Sequence, residues 1–217
     1  GYDAAIMAPM FIVMSFSFGL AIFILVLMAL YKWSDRPLGD AILFRLKNLL
    51  GVFVAAVMYF VLAYHLTNLY GTENHGVERF ILLDGGVYTQ LFWIVQLGIG
   101  SLLPLILLYS PGPGTNRAWI GVSCLLVIIG GLAQMYVIII GGQAYPMEMF
   151  PGKEVSSTFF DGVVASYAPS RPEVVLGLGG VALALAATVV GARVLRFLPA
   201  SLADELVDPH HSPAEAG

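Results

Sequence analysis

The sequence predicts an all-α integral membrane protein, a bundle of about five transmembrane helices with a long outer loop between helices four and five. Three observations carry this. The composition is 59% hydrophobic and only 11% charged, with a mean hydropathy of +0.86, whereas a soluble domain has about 25% charged residues. Five apolar runs reach the roughly 20 residues that a helix needs to cross a bilayer. None of them alternates as a barrel strand does, so each must satisfy its own backbone hydrogen bonds as a helix. Finally, lysine and arginine sort to one side of those runs.

The first run extends from about Ala4 to Tyr31. It has no basic stretch before it and no cleavage site after it, so it reads as a spanning helix and not as a signal peptide. The chain begins at Gly1 without an initiator methionine, from which we expect residues 1–200 to be the C-terminal part of a larger subunit. The second run covers about Leu46 to Tyr70 and the third about Val87 to Tyr109. SPGPGTN at 110–116 ends the third with two prolines and two glycines. The fourth runs from about Trp119 to Ile140, and the fifth from about Val174 to Leu198. Small residues spaced by four (Ser15 and Gly19, Gly180 and Ala184, Ala182 and Ala186) predict close helix packing. From Ser201 to Gly217 the chain is polar and acidic, and we expect a disordered tail.

Lys32, Arg36, Arg45, Lys47, Arg117, Arg193 and Arg196 fall on one side, and only Arg79, Lys153 and Arg171 on the other. The positive-inside rule then places the first loop, the third loop and the C-terminus in the cytoplasm of an inner membrane. The N-terminus, the loop after helix two and the loop 141–173 face outward. That last loop mixes aromatics, methionines and acids. Gln143, Tyr145, Glu148, Phe150, Phe159 and Asp161 are its candidates for docking a partner.

Polar side chains in hydrocarbon are costly and usually face a bundle interior or a wet cavity. YHLTNLYG at 64–71 places Tyr64, His65 and Asn68 on adjoining faces of helix two. Tyr88, Gln90 and Gln96 lie on helix three and Gln134 on helix four. If these helices are neighbours, the seven residues surround one pocket near the outer surface. Histidine and tyrosine beside hydrocarbon suit a quinone or a proton path. His65 bonded to a neighbouring helix, and tyrosines acting as interfacial anchors, are the plainer alternatives.

Other chemistry is excluded or disfavoured. One cysteine, Cys124, allows no internal disulfide and no cysteine-ligated cluster. A haem held by two histidines is disfavoured because only His65 lies in a span. No phosphate loop, metal-ligand spacing, nucleophilic triad or basic patch for nucleic acid is present. No acid or base lies in a helix core, which counts against an ion-coupled transporter; Glu78, Arg79 and Asp84 read as flanking the outer end of helix three.

APMFIVMSFSFGLAI at 8–22, HLTNLYG at 65–71, DGGVYTQLFWIVQLGIGSLLPLILL at 84–108 and YVIIIGGQ at 136–143 resemble, in order, the NrfD/polysulfide-reductase membrane-subunit family. QAYPMEMFPG, STFFDGVVASYAPSRPE, LGLGGVALAL and VLRFLP are most similar to its DsrP branch, from the DsrMKJOP complexes of dissimilatory sulfur metabolism. The resemblance implies a helical subunit without haem or iron–sulfur cluster of its own, and two related bundles of which this chain matches the second. It implies electron exchange between menaquinone or ubiquinone and a periplasmic-side ferredoxin-like iron–sulfur subunit, alongside other membrane and cytochrome subunits, with proton translocation as a further expectation. His65, Asn68, Tyr88 and Gln90 stand at family-like polar positions. The alternatives are a secondary transporter or channel fragment, and a purely structural membrane anchor.

Overall fold

The computed structural model describes residues 4–146, 162–195 and 198–207. Among them the regular structure is helical and no strand is present, with five helices long and apolar enough to cross a membrane: α1 Met7–Trp33, α2 Asp40–Tyr70, α3 Val87–Tyr109, α4 Arg117–Ala144 and α5 Arg171–Val194. The protein is an all-α, multi-pass membrane protein. It divides into two compact units, Gly1–Leu25 with Phe44–Ser166, and Val26–Leu43 with Tyr167–Gly217.

In the first unit, α1, α2, α3 and α4 pack around a core of Met10 and Met14 from α1, Val57, Val61 and Tyr64 from α2, Phe92 from α3 and Val137 from α4. Phe16 and Phe53 stack between α1 and α2, their ring centroids 5.4 Å apart. α3 and α4 cross where Gly100 meets Gly130; a Cβ on either glycine lands on the other's Cα. Gly131 likewise lies under the Phe18 ring. Two helices also widen to π-helical turns, Leu91–Leu102 in α3 and Val137–Gly141 in α4. Pro104 contributes to the first, since it has no N–H to give and crowds the carbonyl one turn before it.

The stretch between α2 and α3 is folded. Thr72–Asn74 and His75–Arg79 form short helices, followed by a wide turn at Phe80–Asp84. Phe80 and Ile81 drop into the core. Thr89 pins the turn, accepting from Gly85 N at 3.0 Å and donating to Phe80 O at 3.3 Å. Gly86 has a φ of +57°, which favours glycine.

In the second unit the segment after α5 closes on the loop between α1 and α2. Arg36 Nη1 donates to Leu198 O at 2.8 Å and Pro199 O at 3.1 Å, and Tyr31 Oη donates to Pro199 O. Leu38 and Leu202 form an isolated bridge. The Asp204 carboxylate accepts from Asp40 N and Ala41 N, capping the start of α2. Leu202 and Asp204 thus make specific contacts, against the expectation of a loose tail from Ser201; Asp208 onward lies outside the described residues.

Helix ends differ from the apolar runs because caps, not hydropathy, set them. α2 starts at Asp40, where Asp204 supplies the cap, six residues before the run expected from Leu46. α4 starts after Asn116, whose side chain accepts from Ala118 N. α5 starts after Ser170, where the Glu173 carboxylate accepts from Ser170 N and Ser170 Oγ. The close packing expected at Ser15–Gly19 and Gly180–Ala184 is a correction: Gly19 and Gly180 have open space where a Cβ would stand. Gly100 and Gly130 make the close approach instead.

Candidate functional site

The end of α2 carries Tyr64, His65 and Asn68 within one helical turn. Tyr64 and Asn68 are buried, and the His65 side chain is 12% exposed. Thr67, between them, faces outward and donates to Ala63 O within its own helix. The short helix His75–Arg79 folds against this turn and delivers Glu78, whose surface is fully buried. Glu78 Oε2 stands 2.6 Å from His65 Nδ1, and Oε1 accepts from Asn68 Nδ2 at 2.8 Å. Both carboxyl oxygens are therefore bonded, as a buried polar group requires. The neighbouring Arg79 turns outward and pairs with Asp84 at the surface.

Aromatic edges fix the imidazole. The Tyr64 ring lies 5.2 Å from it and the Phe92 ring 4.7 Å, both near perpendicular. With Nδ1 held by Glu78, Nε2 is the ring nitrogen left for a guest. A cavity of about 100 Å³ opens beside the imidazole-bearing turn, bounded by Met10, Tyr64, His65, Phe92, Gln96 and Gln134 among others. Gln96 and Gln134 are buried there, and Gln96 Oε1 and Gln134 Nε2 have no hydrogen-bond partner. Unpaired buried polar atoms cost roughly 1–3 kcal/mol each. A guest with oxygen atoms, or ordered water, removes that cost.

This site joins α2, α3, α4 and the α2–α3 connector, all within the first unit. Residues 1–147 match the family model described as polysulphide reductase, NrfD. The chain belongs to that family. Over 210 residues it is 27% identical to the Hdr-like menaquinol oxidoreductase integral membrane subunit of Archaeoglobus fulgidus, covering 95% of this chain and 53% of that one. Over 134 residues it is 28% identical to a selenate reductase subunit of Mesobacillus selenatarsenatis, covering 61% of this chain and 28% of the relative. The chain thus spans about half or less of the length of these curated relatives. No solved structure matches it.

In this NrfD-family protein, five of the seven pocket candidates gather as a set: Tyr64, His65, Gln96 and Gln134 line the cavity and Asn68 braces it from behind. Tyr88 stands aside, half-buried, stacked on Tyr136 with centroids 5.9 Å apart. Gln90 is exposed on the far side of the same turn. Of the docking candidates, Gln143 is exposed, and Tyr145 packs on Phe80 with centroids 5.5 Å apart. Glu148, Phe150, Phe159 and Asp161 lie outside the described residues.

Sequence reasoning missed Glu78 as a partner. Its signal was local: Val77, Phe80 and Ile81 flank it in HGVERFI, so one face of that short stretch had to turn inward. Its burial leaves the argument against an ion-coupled transporter in place, because Glu78 belongs to the α2–α3 connector and not to the core of a span. Among the described residues no group of three histidine, cysteine or acidic side chains is placed to hold a metal ion.

Proposed function

We propose that this chain is an integral membrane subunit of a respiratory redox complex and that its cavity takes a quinol headgroup. One observation carries the proposal: a bonded His65–Glu78–Asn68 group stands behind a cavity whose two buried glutamines have unpartnered amide atoms. The oxygens of a quinone headgroup lie at opposite ends of an apolar ring. Apolar walls from Met10, Val61, Ile81 and Phe92 suit the ring. Amides of Gln96 and Gln134 suit the oxygens, because an amide presents a donor to a carbonyl or an acceptor to a hydroxyl. The archaeal relative is named for menaquinol; ubiquinone presents the same oxygen chemistry.

A quinol gives up two electrons and two protons on oxidation. In this reading His65 Nε2 accepts one hydroxyl proton, the second hydroxyl proton leaves to water, and both electrons go to the partner subunit's iron–sulfur centres. Glu78, bonded to Nδ1, holds the ring in position and stabilises the charge that it gains. Asn68 fixes the second carboxyl oxygen. Electrons pass to an iron–sulfur subunit docked on the surface at this end of the spans, with Gln143 and the residues after it as the contact. We place the complex in dissimilatory sulfur metabolism on the DsrP-like segments of the sequence. Other membrane and cytochrome subunits complete the assembly.

The test is quinol-linked electron transfer in the assembled complex. Glu78→Gln keeps the shape and replaces the carboxyl that orients His65, and we expect turnover to fall about 10- to 100-fold, the scale of a lost orienting partner. His65→Gln should fall at least as far. Unchanged turnover in both variants, in complexes that assemble normally, rejects the site.

A further inference from the structure

The second unit holds a separate cleft of about 140 Å³ at the ends of α1 and α5. Leu30 and Val189 form part of its apolar floor, and Arg36, Arg193 and Trp33 stand around it. We propose that this cleft binds a phosphate group carried by an anionic phospholipid of the surrounding bilayer.

The charges come first. Among the described residues, two guanidinium groups and no acid line this small cleft. Among the described residues neither arginine has a carboxylate partner. Arg36 is fixed by the two carbonyl oxygens that its Nη1 bonds, Leu198 O and Pro199 O. Those bonds leave Nε and Nη2 with N–H groups to offer. Arg193 stands over the Trp33 ring, its guanidinium carbon 5.5 Å from the centroid. The stacking orients the fork without using its N–H groups. Two like charges at one cleft repel each other, and a phosphate that accepts from both forks relieves the repulsion.

Depth then selects the source of the phosphate. α1 and α5 are the first and fifth spans, so they cross in the same direction and end at the same membrane surface. Trp33 lies at that level, where indole rings favour the interface. The floor is apolar, and α5, which supplies part of it, carries exposed leucine and valine side chains along its length. A dissolved phosphate gains nothing from such a floor. A phospholipid uses both parts, headgroup on the arginines and acyl chain on Leu30 and Val189. Basic side chains at a helix end in this setting are a recognised means of gripping anionic lipid.

The full chain, purified in mild detergent, is titrated with phosphatidylglycerol, phosphatidylcholine or inorganic phosphate, and binding is read by native mass spectrometry. We expect phosphatidylglycerol to bind at least tenfold more tightly than phosphatidylcholine. Arg193→Gln should lose about tenfold of that affinity and leave phosphatidylcholine binding unchanged, and Arg193→Lys should retain part of it. Arg193 is exposed and stacks on Trp33, so unaltered thermal unfolding serves as the control for folding. Equal binding of both lipids, or Arg193→Gln that binds phosphatidylglycerol as the parent does, overturns the proposal. Inorganic phosphate binding as tightly as the lipid also overturns it, by making a dissolved anion the ligand.

Discussion

Glu78 sits in full burial, and His65 and Asn68 account for both of its oxygens. A polar run such as YHLTN in an apolar helix needs a complement, and the sequence shows it only once the connector is known to fold back. His65, Asn68, Gln96 and Gln134 were legible because polar atoms in a span must face inward. Gln90 was not, because nothing in its spacing separates it from Tyr88 and only the packing of α3 turns it out. The two glutamines provide a residue-scale prediction in which stability and function part. Gln134→Leu removes an unpaired buried amide, so the empty protein should gain roughly 1 kcal/mol or more in thermal unfolding. The same variant should raise the KM for quinol about tenfold, the loss of one hydrogen bond to substrate. Equal loss of stability and of affinity contradicts the assignment.

At the scale of elements, all five spans were legible from apolar length, and their centres coincide with the runs. Their ends were not, because α2 owes its start to Asp204, more than 160 residues away in the chain. Small-residue spacing also misled. LGLGGVALALAA has the composition of a packing face, yet the close crossing lies at Gly100 and Gly130, one glycine on each of two different helices, which no spacing within a single helix reveals. Gly100→Val should therefore lower stability by about 2 kcal/mol or more, the cost of overpacking a tight contact. Gly180→Val should cost less than about 0.5 kcal/mol. Unfolding of both variants in the same detergent checks the contrast, and similar losses would show that the crossing is not where these glycines place it.

At the scale of the molecule, alternate crossing of five apolar helices leads us to expect the α1–α2 loop and the end of α5 at one membrane surface and the α2–α3 connector at the other. The second unit agrees, since Arg36 and Tyr31 reach the carbonyls after α5 directly. Single cysteines at Ser34 and Thr72, in a Cys124→Ser background, should react with an impermeant maleimide from opposite faces, with Thr72 on the outer one. Labelling of both from one face contradicts the topology. The same order of crossings predicts that the His65 cavity opens toward the surface that carries Thr72.

The central claim is that a quinol headgroup occupies the cavity beside His65. The most direct measurement is photo-crosslinking of the assembled complex with an azidoquinone, followed by peptide mapping. The account predicts label on the peptides that contain Tyr64–His65, Ile81, Phe92–Gln96 and Gln134–Ile138, suppressed by excess unmodified quinone and weakened by Gln134→Leu. Competable label confined to other parts of the complex, with these four peptides clean, would contradict it.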